Sequence, residues 1–408
     1  MSIVLSTSVR QNLLSLQSTA DLLATTQNRL ATGKKVNSAL DNPTNFFTAA
    51  GLDARASDIS NLLDGIGNGV QVLQAANTGI TALQKYVDSA KSIAQQVLQA
   101  PAGYSVKASV TSLAPTGAAA LGVVGTAADI TNGGTNSLEG KTFIFTPATG
   151  AATTVTISST PAANSVNSID AFNTLLSAKG LGLTASFAAN GSITLTSSND
   201  NASQTLTTGA AAVANNIAIG GTDTVALVAG GVPTADPVSQ AIRANLISQY
   251  NNVIQRITTT SQDASSAGIN LLNGDDLKLT FNETGKSTLN IRGVTFNAAG
   301  LGLTALTVGT DFLDNVSANK ALALLGTASS TLRTEASTLG SNLSIVQIRQ
   351  DFSKNLINVL QTGSSNLTLA DTNEEAANSQ ALSTRQSIAV SALALANQSQ
   401  QSVLQLLR

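Results

Sequence analysis

Leu382, Gln386, Ala389, Leu393, Ala396, Gln400, Val403 and Leu407 step along the chain by fours and threes. That spacing places one narrow apolar stripe on a helix and predicts a seam buried against another helix. Val9, Leu13, Leu16, Ala20, Leu23, Gln27 and Leu30 repeat the pattern near the opposite end. Gly33 then reads as a helix stop, because glycine takes the left-handed terminal conformation at little cost. Asn42-Pro43 reads as the next start, an asparagine cap followed by proline at the first helical position. A long helix follows, with Ile59, Leu63, Ile66, Val70, Leu73, Asn77, Ile80, Gln84 and Val87 in phase, ending at Pro101. Asn77 and Gln84 are expected inside this seam, costing stability but fixing register.

The period changes at Gly103. Lys141–Phe145, Thr153–Ile157, Gly182–Phe187 and Ser192–Thr196 alternate with period two, and Asn190-Gly191 is a hairpin signal between the last pair. Ser168–Lys179 fits one short helix. Helical spacing returns with Ile242, Leu246, Gln249, Val253 and Ile257. Leu277–Phe281 and Ser287–Phe296 then read as hairpin arms turning at Asn282–Lys286. A second long helix is expected from Asn315 to about Leu360, with Leu332, Ala336, Leu339, Leu343, Val346, Ile357 and Leu360 on one face. Ile345, Phe352 and Val359 lie on another, so this helix should meet more than one neighbour. Gln361–Leu369 reads as a linker, and Asp371 with Glu374 as a capping box that starts the last helix.

The fold class is therefore mainly α with a β-rich insertion. Long antiparallel helices form a coiled-coil-like core built from both chain ends, with a small β-hairpin. The segments expected are 1–40, 41–102, an inserted block 103–237, 238–314, 315–362 and 363–408.

Composition narrows the function. The 408 residues carry a net charge of −2 and include no His, no Cys and no Trp. Without cysteine there is no disulfide framework or thiolate zinc site, and without histidine the commonest general base and metal ligand is missing. No catalytic, cofactor-binding or metal site is expected, and the chain reads as a non-enzyme. A near-neutral charge without basic runs argues against nucleic acid. No secretory signal is read at the start, and no run of about 20 apolar residues is long enough to enter a membrane. Thr284-Gly285-Lys286-Ser287-Thr288 mimics the end of a phosphate loop, but Thr280 stands where that loop needs glycine, and a hairpin turn is expected there. Asp275-Asp276 reads as solvated loop rather than a cation site.

Three stretches carry a family resemblance. Asn28-Arg29-Leu30-Ala31-Thr32-Gly33-Lys34-Lys35-Val36-Asn37-Ser38-Ala39, Gly67-Asn68-Gly69-Val70-Gln71-Val72-Leu73-Gln74, and Ala396-Asn397-Gln398 with Ser402-Val403-Leu404-Gln405-Leu406-Leu407-Arg408 resemble bacterial flagellin. The resemblance spans about 1–100 and 238–408. It departs from most flagellins in placing the extra block before the hairpin rather than after it. It implies a secreted structural subunit that self-assembles into the helical flagellar filament used for swimming, with the β-rich block on the outside. The implied partners are further copies of the chain, an export chaperone, the flagellar type III export apparatus, and hook-associated and cap proteins. The implied polymerisation surface is the two terminal seams: Val9, Leu13, Leu16, Leu23, Leu30, Leu382, Leu393, Val403 and Leu407. Those seams are narrow, so they are expected to order only on assembly. Asp41-Asn42-Pro43 also resembles the hook–filament junction proteins of the same superfamily, the alternative assignment.

Overall fold

The computed structural model describes residues 7–114, 125–131, 138–147, 151–160, 162–209, 216–220 and 227–406. Six helices are described: α1 (Thr7–Thr32), α2 (Pro43–Gln99), α3 (Ile169–Ala178), α4 (Pro237–Asp263), α5 (Asn315–Thr368) and α6 (Thr372–Leu406). The chain divides into two compact units. One comprises Met1–Gln71, Leu277–Ile291 and Ser341–Arg408; the other comprises Val72–Asp276 and Arg292–Gly340.

In the first unit, the turn after α1 follows the sequence closely. Gly33 has φ +68, and an Asn42 side-chain oxygen accepts from the Asn45 amide at 3.0 Å to open α2. The Lys35 amide donates to the Thr368 carbonyl at 2.8 Å and the Ala370 amide to the Gly33 carbonyl at 3.0 Å. Backbone bonds therefore join the two interhelical turns, which brings α1 alongside α6. Deeper in the unit α2 and α5 run antiparallel, with Ala56, Ile59 and Leu360 buried together. The Ser364 hydroxyl donates to Asp53 at 2.8 Å, and Gly363 faces Leu52. Helix thus persists through the segment expected to be a linker, because its small residues pack on α2. The hairpin strands β12 (Leu277–Thr280) and β13 (Thr288–Ile291) pair antiparallel, and Gly285 turns between them with φ +69.

The second unit holds the inserted block. A four-stranded sheet runs in the order β10 (Leu227–Ala229), β2 (Ser109–Ser112), β7 (Ile193–Ser197), β6 (Leu183–Phe187). A five-stranded sheet runs β5 (Ser165–Val166), β4 (Thr153–Ile157), β3 (Thr142–Pro147), β9 (Asn216–Gly220), β8 (Thr205–Thr208). Val155, Leu195, Phe143 and Phe145 are buried with Phe172 and Leu176 of α3, and Ser168 caps α3. Gly191, with φ +82, turns the hairpin foreseen at Asn190-Gly191. At the neck, β1 (Tyr104–Val106) pairs with β11 (Thr234–Ala235).

The seam of α2 takes the other of two heptad phases. Both phases share Ile59, Ile66, Leu73, Ile80 and Val87. The structure buries Ala76 and Leu83 between them, leaving Asn77 exposed and Gln84 half-buried. Burying an unpartnered amide costs about 1–3 kcal/mol, whereas alanine and leucine gain by burial. The stripe of α4 also shifts phase, but for a different reason: Ile242 and Gln249 are exposed, while Arg243 is buried with its donors on the Pro101 and Phe312 carbonyls and Tyr250 packs on Phe312. The second hairpin arm also ends early, at Ile291, after which the Val294 and Phe296 amides bond to the carbonyls of Leu271 and Leu272.

Candidate polymerisation interface

The α1–α6 pair is held by a thin seam. Leu382, Gln386, Ala389, Leu393 and Ala396 are half-buried in α6, in the phase expected. From α1, Val9 is buried, Leu16 and Leu23 are half-buried, and Thr26 is buried. Here the phase goes against hydrophobicity: Thr26 turns inward, while Leu13 and Leu14 stay 43% and 69% exposed. Leu30 is also exposed. Val403 lies within α6, and Leu407 falls outside the described residues. Arg29 pairs with Glu375 at 3.3 Å across the two helices. Asp371 accepts from the Asn373 amide at 2.9 Å and more weakly from the Glu374 amide, so it caps α6 from one side of the expected box. The described residues of both segments expected to await a lattice are helical here and packed on each other.

Apolar surface is left over on every one of these helices. Leu22 on α1 and Ile388, Val390 and Leu395 on α6 are all more than half exposed. A shallow groove of about 440 Å³ lies on α6, along Ser387, Ile388, Ser391 and Leu395. On α5 the first face is buried as expected, at Leu332, Leu339, Val346 and Leu360. The second face, Ile345, Phe352 and Val359 with Ile348 beside it, is exposed. These side chains stay uncovered by the rest of the described chain.

The turn that positions α2 against these helices is set by Asp41. Its carboxylate accepts from the amides of Ser38 at 2.8 Å and Asn37 at 3.0 Å, and those bonds hold its pKa below the ordinary value. The sequence reading missed this role, although Asn-Ser-x-x-Asp is a visible turn pattern. It also missed Arg243. That side chain is 2% exposed and donates to the carbonyls of Pro101 at 3.1 and 3.2 Å and Phe312 at 3.1 Å. Burial lowers its pKa, and Asp314 nearby partly offsets this. The Asp200 carboxylate accepts from Asn315 Nδ2 at 2.7 Å, and Asp314 accepts from the Ser203 hydroxyl at 2.6 Å. The inserted block is thereby fastened to the start of α5. Burial also pushes the Tyr250 phenol up to about 12.

Asp275 and Asp276 accept from the amides of Asn270 and Gly293, closing a loop. Lys286 sits in the hairpin turn, and among the described residues no three acidic side chains gather as metal ligands.

Known sequences match this chain at its two ends. Residues 5–114 match the family model for the bacterial flagellin N-terminal helical region, and residues 322–407 match that for the C-terminal helical region. Flagellin FljM of Caulobacter vibrioides is 32% identical over 165 residues, covering 40% of this chain and 59% of its own length. Flagellin FljK of the same organism is 31% identical over the same shares. A flagellin of Brucella melitensis is 27% identical over 176 residues, 41% of this chain and 62% of the relative. The chain therefore spans about three fifths of the length of these curated relatives.

Proposed function

Because the chain belongs to the bacterial flagellin family, we propose that it is a structural subunit that self-assembles into the helical flagellar filament and serves swimming motility. The observation that carries this reading is the apolar surface left on α1, α5 and α6 after each helix has packed within the chain. A subunit that stayed alone in water would leave that surface hydrated. Each large side chain covered by a neighbour contributes roughly 1.5–3 kcal/mol. A contact joining different faces of identical copies does not close on itself and grows as an open helix. In this reading the α1–α6 pair is the polymerising element: Val9, Leu16, Leu23, Leu382 and Leu393 hold its two helices together, Leu13 and Leu30 present exposed side chains to neighbouring copies, and Val403 and Leu407 follow in the same sequence spacing.

The work done is mechanical, with no catalysis and no cofactor. Further copies of the chain are the main partner. An export chaperone, the flagellar type III export apparatus, and hook-associated and cap proteins are the transient ones, and the site of action is outside the cell. Kinship with proteins named flagellin favours the filament over the hook–filament junction. Salting out the purified protein and examining it by electron microscopy tests the reading. Long tubes are expected; compact particles at every concentration would overturn it.

A further inference from the structure

Between the hairpin and α5 lies a cleft of about 240 Å³ floored by Ile59 and Leu356. Two arginines stand on its rim. Arg55 is engaged, its Nε 2.8 Å from Glu283. Arg349 lies over the Phe281 ring at 5.8 Å and has no carboxylate partner among the described residues. Beside it Phe352 is 57% exposed. This edge offers a bulky aromatic and an unneutralised cation together.

We propose that the cleft receives the outward face of α2 from a second copy of the chain, with Arg349 of one copy meeting Asp64 of the next. The proposal rests on the filament-subunit reading and names one of its contacts. The outward face consists of Ala54, Ser57, Asn61, Asp64, Gly65 and Asn68, all exposed. No side chain there is longer than asparagine, and a Cβ built on Gly65 would meet nothing within 4 Å. The face is smooth enough for a projecting Phe352 to lie against it. Its charge is acidic only, and neither Asp64 nor the adjoining Asp58 belongs to an ion pair among the described residues. Asp64 follows Arg55 by nine residues, about two and a half helical turns, so it lies on the opposite side of α2 from the cleft. One copy cannot satisfy both faces at once. Joining them head to tail leaves a free cleft at one end and a free acidic face at the other, as an open polymer requires.

The test is charge reversal in the full-length chain, read as the critical concentration for salt-induced assembly by sedimentation and electron microscopy. Arg349→Asp and Asp64→Arg should each raise that concentration at least about tenfold, since like charges then face each other. The double variant should return to within about threefold of the parent. Both positions are exposed, and circular dichroism of the monomers confirms that the variants fold. Assembly of either single variant at the parental concentration, or a double variant no better than its worse parent, overturns the contact. Failure of the parent chain itself to assemble overturns the filament reading along with it. The chain has no cysteine, so a Phe352→Cys, Gly65→Cys double variant gives a second readout. Oxidation after assembly should produce a ladder of covalent multimers, and monomers alone would refute the proposal.

Discussion

Glycines in α2 give a sharp test of how the core is packed, because the same substitution should change sign along one helix. Gly65 is open, so Gly65→Ala should stabilise the monomer by about 0.8–1 kcal/mol, the ordinary helix-propensity gain. At Gly79 a Cβ would lie 2.6 Å from Leu272 Cδ1 and 2.7 Å from Ala264 Cβ. Carbon atoms pack at about 3.5–4.0 Å. The leucine end can rotate, but the alanine methyl is fixed to its backbone, so chain must move by roughly 1 Å. Overpacking of this kind costs about 1–3 kcal/mol. Set against the same propensity gain, Gly79→Ala should be destabilising by about 1 kcal/mol. The two variants should therefore differ by about 2 kcal/mol in urea unfolding followed by circular dichroism. Adding Ala264→Gly to Gly79→Ala should recover part of the loss, which a purely local helix effect would not do. If Gly79→Ala raised the unfolding midpoint as much as Gly65→Ala, the close approach of α2 to the end of α4 would be refuted.

Three further outcomes are expected. Leu16→Asp or Leu393→Asp, each placing a charge in the α1–α6 seam, should abolish filaments while leaving α2 and α5 folded; normal filaments would remove these residues from the interface. Arg243→Met strips donors from the carbonyls of Pro101 and Phe312 and should destabilise the chain by about 2–5 kcal/mol, read as a lower urea midpoint and faster proteolysis at the neck of the insertion. Asp41 and Asp236 have folded pKa values below the ordinary 3.8, so their stabilisation is full above that value and is lost as pH falls below it. The stability gap between the parent and Asp41→Asn should accordingly close in acid, and a gap unchanged down to pH 2 would contradict the turn described here.

Sequence alone determined that the long helices and the two hairpins exist, where several of them start and stop, and the resemblance to flagellin; it missed the end of α5 and the length of the second hairpin arm. These features rest on local rules: Gly33 and Asn42-Pro43 punctuate the chain through backbone preference, and period two separates the insertion from the period of 3.5 around it. The positions shared by both heptad phases were legible for the same reason, since Ile59, Ile66, Leu73, Ile80 and Val87 fit either. Which phase is buried was not, because it depends on the neighbour. In α2 the neighbours admit Ala76 and Leu83 and turn Asn77 out, whereas in α1 the contact with α6 takes Thr26 and leaves Leu13 in solvent. Tertiary structure also decided the fate of Arg243. An arginine in a helix reads as a solvated charge until carbonyls from distant turns close round it, and no local pattern encodes that meeting.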